Sequence, residues 1–291
     1  MIAINKCIGL LANGLPVFAS HKSEPPELTY GSGVEHRTHW ADMVVVEFEH
    51  FGFNVDGLAA FMHGLTDGPE PSVKLPTIIA TLPVNGNNVE EVLYNAWQVR
   101  HVLSTGVHGL MLANASDVGA VRTYVAAARF SFKQHAEYDL PRGLRGVGGE
   151  GRPAARWGVS LEHYHRQAEP WPLVPDGQLL LGIKIEHKDS LSRAHAIASV
   201  PGVGFAEWGP SDMLASLGRP GESEPPYPKE ASNALKTVKH ALDKADVAFH
   251  CGWPDPSLSP CEQVDYLIDV IGARLLVVDS KAQADYGRGR V

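Results

Sequence analysis

Cysteine is scarce in this chain: Cys7, Cys251 and Cys261, an odd number with no CxxC pair, in 291 residues. A chain of this length buries enough surface to need no disulfide staples, so the count excludes a disulfide-built scaffold and fits a reducing, cytoplasmic compartment. Long apolar runs are also missing. No segment approaches the ~18 uninterrupted apolar residues that span a bilayer, and the opening MIAINKCIGLLANG has neither a basic leader nor a small-residue cleavage site. A cytoplasmic protein with no membrane partner is expected. Positive charge is in deficit. The formal net charge is -8 with Lys and Arg scattered, a field that repels phosphate backbones, so nucleic acid is not an expected partner. The glycine-rich stretch 141–149 matches the spacing of neither a P-loop nor a GxGxxG dinucleotide site.

What the chain does have is core material: 44% of residues are hydrophobic and 20% charged, a globular composition. Short apolar runs recur at 16–20 (PVFAS), 43–48 (MVVVEF), 77–82 (TIIATL), 109–113 (GLMLA), 179–185 (LLLGIKI), 203–208 (VGFAEW), 247–251 (VAFHC) and 275–279 (LLVVD). Runs this apolar suit parallel strands covered on both sides. Between them 88–104, 116–129, 190–199 and 261–271 read as amphipathic helices, two of them opening on Ser as an N-cap. Eight strands alternating with helices predict one α/β domain over 1–291, a (β/α)8 TIM barrel. Two stretches break the rhythm, 20–39 and 131–176. Loops this long are uncommon in compact domains, and both are expected to frame the active site or a subunit contact.

Glu186 ends one of the apolar runs, and Asp212 lies just past the next, in GPSD. In a barrel the C-terminal strand ends converge, so two carboxylates there can share one hard cation such as Mg²⁺ or Mn²⁺. The competing reading pairs Glu186 with Lys184 or Lys188 and makes Asp212 a helix cap. Glu47, Glu49 and His50 stand at a second strand end, where a histidine beside carboxylates can act as a general base. In 141–149 (PRGLRGVGG), glycines allow close backbone approach and arginines such as Arg145 can grip a carboxylate. His36, His39, His163, His165 and His250 are read as solvated or hydrogen-bonded surface groups rather than ligands. His21, His36 and His39 gain interest if their loop folds over the pocket.

Together the motifs VEFEH, GLMLANASDVGAVRTYVAAAR, PRGLRG, IEH and GPSDM resemble the metal-dependent 4-hydroxy-2-oxoheptanedioate aldolases, relatives of the citrate lyase β-subunit. The resemblance runs in order from about residue 41 to about residue 279, and is weakest within 131–176. It implies a retro-aldol reaction in which a divalent cation (Mg²⁺, Mn²⁺ or Co²⁺) on Glu186 and Asp212 polarises the keto group of a 2-keto acid such as pyruvate. It implies that His50, held by Glu47, governs the proton of the 4-hydroxyl by way of a bound water. It also implies that backbone N–H groups around Gly209, Pro210, Ser211 and Asp212 receive the substrate carboxylate, with Trp208 walling the pocket. A homo-oligomer, hexamer or dimer, goes with the resemblance, although 280–291 is too short and too rich in Gly and Arg for a long exchanged helix.

The departures from the family pattern are specific. Thr81 (in ATLP) stands where the family carries an arginine contacting the enolate, and Lys184 stands where it carries Gln. Glu47 replaces Asp, and His187 replaces Thr. Lys184 is two residues before Glu186 on the same strand face, so it is expected to restore the lost positive charge. A lysine there also permits Schiff-base aldol chemistry. The expected activity is that of a metal-dependent aldolase releasing a 2-keto acid and an aldehyde. The aromatic and polar loops hint at a larger or aromatic aldehyde. The alternatives are a metal-dependent 2-keto acid decarboxylase or other lyase of the superfamily, thioester cleavage being disfavoured by the lack of a basic patch, and an inactive barrel that binds a small acid.

Overall fold

The computed structural model describes residues 4–20, 26–69, 74–133, 138, 140–252, 255 and 257–290. All eight apolar runs are strands: β1 (Val17–Ser20), β2 (Met43–Glu47), β3 (Thr77–Asn85), β4 (Gly109–Ala113), β6 (Leu179–Lys184), β7 (Phe205–Glu207), β8 (Ala248–Cys251) and β9 (Leu275–Val278). Every neighbouring pair is parallel, and β4 pairs with β6 while β1 pairs with β9. The sheet therefore closes into the predicted eight-stranded barrel. A two-residue strand, β5 (Pro170–Trp171), adds a parallel edge to β6 from outside the ring.

Alternation along the strands sorts the side chains. Val17, Ala19, Met43, Val45, Ile79, Met111, Leu180, Phe205, Ala248 and Leu275 fill the barrel interior together with Cys7, Ile8 and Leu11 of the helix Lys6–Ala12, which plugs the bottom of the barrel. The intervening residues face the helices and form the larger core. Polar groups finish the plug: Asn5 donates to the carbonyls of His108 and Gln178, and Thr77 donates to the Asn5 side chain.

The predicted helices are present but broken. The 88–104 segment divides at Asn95 into Val89–Tyr94 and Ala96–Leu103, and 261–271 changes from the α-helix Pro260–Asp265 to the π-turn Tyr266–Ile271. Segment 116–129 is the helix Val118–Ala128, N-capped by Asp117 rather than by Ser116. The 190–199 segment starts as the 3₁₀ turn Lys188–Arg193 and continues as Ala194–Ala198. After β9, where no long helix was expected, Lys281–Arg288 forms a helix of two turns.

The two long stretches are more ordered than loops. Within 20–39 the helix Tyr30–His36 lies on the helix Val55–Thr66, and glycines permit the contact. A Cβ at Gly64 would stand 1.9 Å from the Tyr30 carbonyl oxygen, and one at Gly33 would stand 2.0 Å from that of Phe61. Within 131–176 lie the helices Gly151–Trp157 and Leu161–Gln167 as well as β5. Among the described residues no helix is long and apolar enough to cross a membrane. The three cysteines are free.

Candidate active site

The C-terminal ends of β2, β6 and β7 open into a cavity of about 320 Å³ lined by Glu47, His50, Phe51, Lys184, Glu186, Glu207 and the turn Gly209–Asp212. The strand ends deliver these side chains because every second residue points inward. Register then sets polar neighbours side by side: Glu47 faces Thr81, Lys184 faces Glu207, and Glu207 faces His250.

Glu186 follows β6 and is buried. One carboxylate oxygen accepts the Asn114 backbone N–H at 3.0 Å. Asn114 holds a left-handed φ of 47° just past β4, a conformation that few non-glycine residues adopt and that turns its N–H toward this carboxylate. The other oxygen lies against Gly209, where an added Cβ would stand 2.2 Å from it. Burial pushes the Glu186 carboxyl up to about 8, opposed by Lys184, while Glu49 and Glu207 add to the rise. These surroundings disfavour the ionised carboxylate, which Lys184 and the Asn114 N–H offset only in part. A cation would supply the compensation.

Asp212 stands in the first turn of the helix Pro210–Ser216, whose N-cap is Gly209 with Pro210 beginning the helix. Asp212 lines the cavity. Ligand atoms of Glu49, His50 and Asp212 lie within 4.8 Å of one another, a grouping that can hold a metal ion. Glu49, His50 and Asp212 therefore fit a divalent cation, and Glu186, outside that grouping, lines the same cavity.

Lys184 is buried, ion-paired with Glu49, and 3.9 Å from Glu47. Burial opposes its charge, but Glu207, Glu186, Glu49 and Glu47 outweigh burial and hold the ammonium well above the ordinary lysine value. Thr81 is wholly buried. It is not part of the cavity wall and donates its hydroxyl to Glu47 at 3.1 Å. No cation replaces the missing arginine at that position; Lys184 is the cation that reaches the cavity.

Other expected placements need correction. His50 is mostly exposed, and its neighbour is Glu49, 3.8 Å away, rather than Glu47. Glu47 instead accepts the Glu49 backbone N–H at 2.7 Å, shaping the bend that presents both residues. Trp208 does not wall the cavity. It alternates with Glu207, points outward, and meets Tyr227 edge to face. Arg145 is also elsewhere: it donates to Tyr164 and to the Ala128 carbonyl and lies 4.2 Å over the Phe130 ring. That environment is a reason to bury an arginine without a ligand. Pro210 has no N–H, so in this turn Ser211 and Asp212 are left to offer backbone donors. His36 and His39 stack on each other and are not among the lining residues, and His163 and His165 bond to Ser160 and Glu150. His21 lies outside the described residues. His187 faces outward and caps the turn that follows β6.

Glu207 escaped the sequence reading, and His250 was read there as a solvated or hydrogen-bonded surface group. Glu207 is buried, lines the cavity, and is hydrogen-bonded to His250 Nδ1 at 3.0 Å. Neither is a surface group. The signal was present in the run VGFAEW: with Phe205 inside the barrel, period two sends Glu207 inside as well.

No family model matches the chain. Relatives do. The chain is 29% identical over 164 residues to a hydroxypyruvate/pyruvate aldolase of Sagittula stellata, covering 56% of this chain and 57% of that protein. It is 26% identical over 189 residues to a 4-hydroxy-2-oxo-heptane-1,7-dioate aldolase of Salmonella typhimurium, covering 63% of this chain and 65% of that protein. Its relatives are named as aldolases of 2-keto acids. The chain thus spans less than two thirds of either curated relative's length. In structure it is similar to an HpcH/HpaI aldolase from Desulfitobacterium hafniense DCB-2, with a TM-score of 0.69 and 18% identity over 97% of this chain and 93% of the other, a likeness of fold. The resemblance read from VEFEH, IEH and GPSDM leads to the same aldolase relatives.

Proposed function

We propose that this chain is a metal-dependent (class II) aldolase, a carbon–carbon lyase that cleaves or forms a 4-hydroxy-2-keto acid and so exchanges it with pyruvate, or a related 2-keto acid, and an aldehyde. The observation that carries the reading is Glu186: a buried carboxylate clamped between the Asn114 N–H and Gly209, in a cavity shared with Asp212. Glu186 and Asp212 would hold Mg²⁺, Mn²⁺ or Co²⁺, beside Glu49 and His50. Such a cation supplies Lewis acidity to the keto oxygen and carboxylate of the substrate.

The chain's own residues do the rest. Lys184 presents a fixed ammonium toward the cavity, where it stabilises negative charge developing on the keto oxygen. It thereby takes over the task that Thr81, occupied with Glu47, cannot perform. Cleavage breaks the C3–C4 bond: the 4-hydroxyl proton leaves to His50, the aldehyde departs, and the electron pair is held as the enolate until C3 is protonated. His50 suits that role because it stands exposed at the cavity mouth with Glu49 beside it. The Ser211 and Asp212 N–H groups and the bare backbone of Gly209 form the wall against which the keto-acid carboxylate rests.

Lys184 also motivates a Schiff-base alternative, but an ammonium surrounded by four carboxylates is a poor nucleophile. Two measurements separate the chemistries. Protein stripped of metal is mixed with pyruvate in deuterium oxide, and exchange at the methyl group is followed by NMR. Exchange should be absent after chelation and return with Mn²⁺ or Mg²⁺. Borohydride with pyruvate should leave the protein mass unchanged. Metal-independent exchange with a reduced adduct on Lys184 would replace this mechanism with the Schiff base.

A further inference from the structure

The charge inside the cavity selects the aldehyde. Glu47, Glu186, Glu207 and Asp212 line it, and Glu49 lies against both Lys184 and His50. Against these five carboxylates Lys184 is the single ammonium, and among the described residues no arginine lines the cavity. With a divalent cation bound, the five carboxylates and Lys184 would leave a formal excess of two negative charges, and the substrate's own 2-keto carboxylate would raise it to three. The position that might have carried a further cation, Thr81, is a hydroxyl already given to Glu47. At the mouth, the group that the second half of the substrate meets is Phe51, whose side chain lines the cavity while the residue is 53% exposed.

Resting on the aldolase reading above, we infer that the aldehyde partner is uncharged, with an apolar face toward Phe51, and that aldehydes carrying a second carboxylate are rejected. A carboxylated tail would enter a cavity of like charge in which no arginine or second lysine among the described residues meets it. The Salmonella relative is named for a substrate with a carboxylate at each end; among the described residues only Lys184 lines this cavity as a lysine or arginine. Discrimination of this kind comes from the repulsive element more than from added attraction.

The test compares two aldehydes of nearly equal size, succinic semialdehyde and its methyl ester, as acceptors for pyruvate in the presence of Mn²⁺. In the addition, C3 of pyruvate loses a proton, bonds to the aldehyde carbon, and the aldehyde oxygen gains a proton; nothing is oxidised or reduced. The ester should show a kcat/KM at least about tenfold above that of the semialdehyde, a ratio worth ~1.4 kcal/mol. Phe51→Arg, at an exposed position tolerant of change, should shrink or invert the ratio by supplying a cation, and Glu207→Gln should shrink it by removing a carboxylate. Equal or better use of the semialdehyde by the wild-type protein would overturn the inference. Metal-dependent deuterium exchange into pyruvate, which needs no aldehyde, is run on the same sample. Exchange with the wrong preference sinks only the selectivity, whereas absent exchange sinks the aldolase reading itself.

Discussion

At Gly209 a single added methyl group probes the site. Its Cβ would press on Glu186 Oε2 from 2.2 Å and on the Glu186 Cβ from 3.2 Å, so Gly209→Ala should push the carboxylate out of place without disturbing the barrel. We expect Mn²⁺ affinity, measured by calorimetry, to fall at least about tenfold, in line with losses at metal-supporting positions, while the circular dichroism spectrum is kept. Unchanged affinity would show that Glu186 is not a ligand. Lys184→Met tests the ammonium. Removing one preorganised charge at a developing anion costs about 10²–10³ in kcat, and leaving Glu49 without its partner should lower stability by about 3 kcal/mol. A variant with wild-type kcat and KM would remove Lys184 from the chemistry. That Glu186, Asp212, His50 and Lys184 share one cavity was legible in the sequence because each sits at or just past the end of an apolar run, where barrel geometry gathers side chains. Glu207 was hidden inside such a run. Arg145 was misplaced because a Gly- and Arg-rich loop looks the same whether it grips a ligand or, as here, an aromatic cluster.

Among the elements, the eight strands were readable from apolar runs alone because both faces of a barrel strand are covered. The 17-residue helix Lys229–Ala245 was not identified: its buried stripe, Ala231, Ala234, Val238, Ala241 and Leu242, is mostly alanine, and a Pro-rich approach conceals its start. Strand pairing also carries a pH dependence. His108, just before β4, is buried and accepts the Ile78 backbone N–H through Nδ1 at 3.0 Å, tying β4 to β3. Burial pushes its value down from 6.5 to about 4. Because the folded value is depressed, the unfolded chain takes up a proton first on acidification. The native state keeps its full margin above pH 6.5 and loses it as pH falls toward 4. The loss from this group approaches about 3 kcal/mol at about 1.36 kcal/mol per unit. Urea midpoints at pH 7 and pH 4.5 should drop less for His108→Gln than for the wild type; equal drops would assign the acid sensitivity elsewhere.

For the whole molecule, one closed barrel with a plugged floor leaves the C-terminal rim as the place where chemistry can occur, and both the carboxylate cluster and the cavity are found there. The same view concerns assembly. Val89, Leu93, Tyr94 and Trp97 project from consecutive turns of the two helices between β3 and β4, and all are substantially exposed. An apolar face of this kind favours self-association, so light scattering is expected to give a mass that is a multiple of 31.4 kDa, reduced to that of the single chain by Trp97→Glu. A monomeric wild type would reject that expectation and leave the active-site account untouched. The central claim is that Glu186 and Asp212 hold a divalent cation that drives carbon–carbon cleavage. Its most direct test is pyruvate release from a panel of 4-hydroxy-2-keto acids by wild type, Glu186→Gln and Asp212→Asn, each chelated and then supplied with Mg²⁺, Mn²⁺ or Co²⁺. The account requires release by the wild type only when metal is restored, and a loss of at least about 10²-fold in both variants. Release that survives chelation, or that either variant retains, would contradict it.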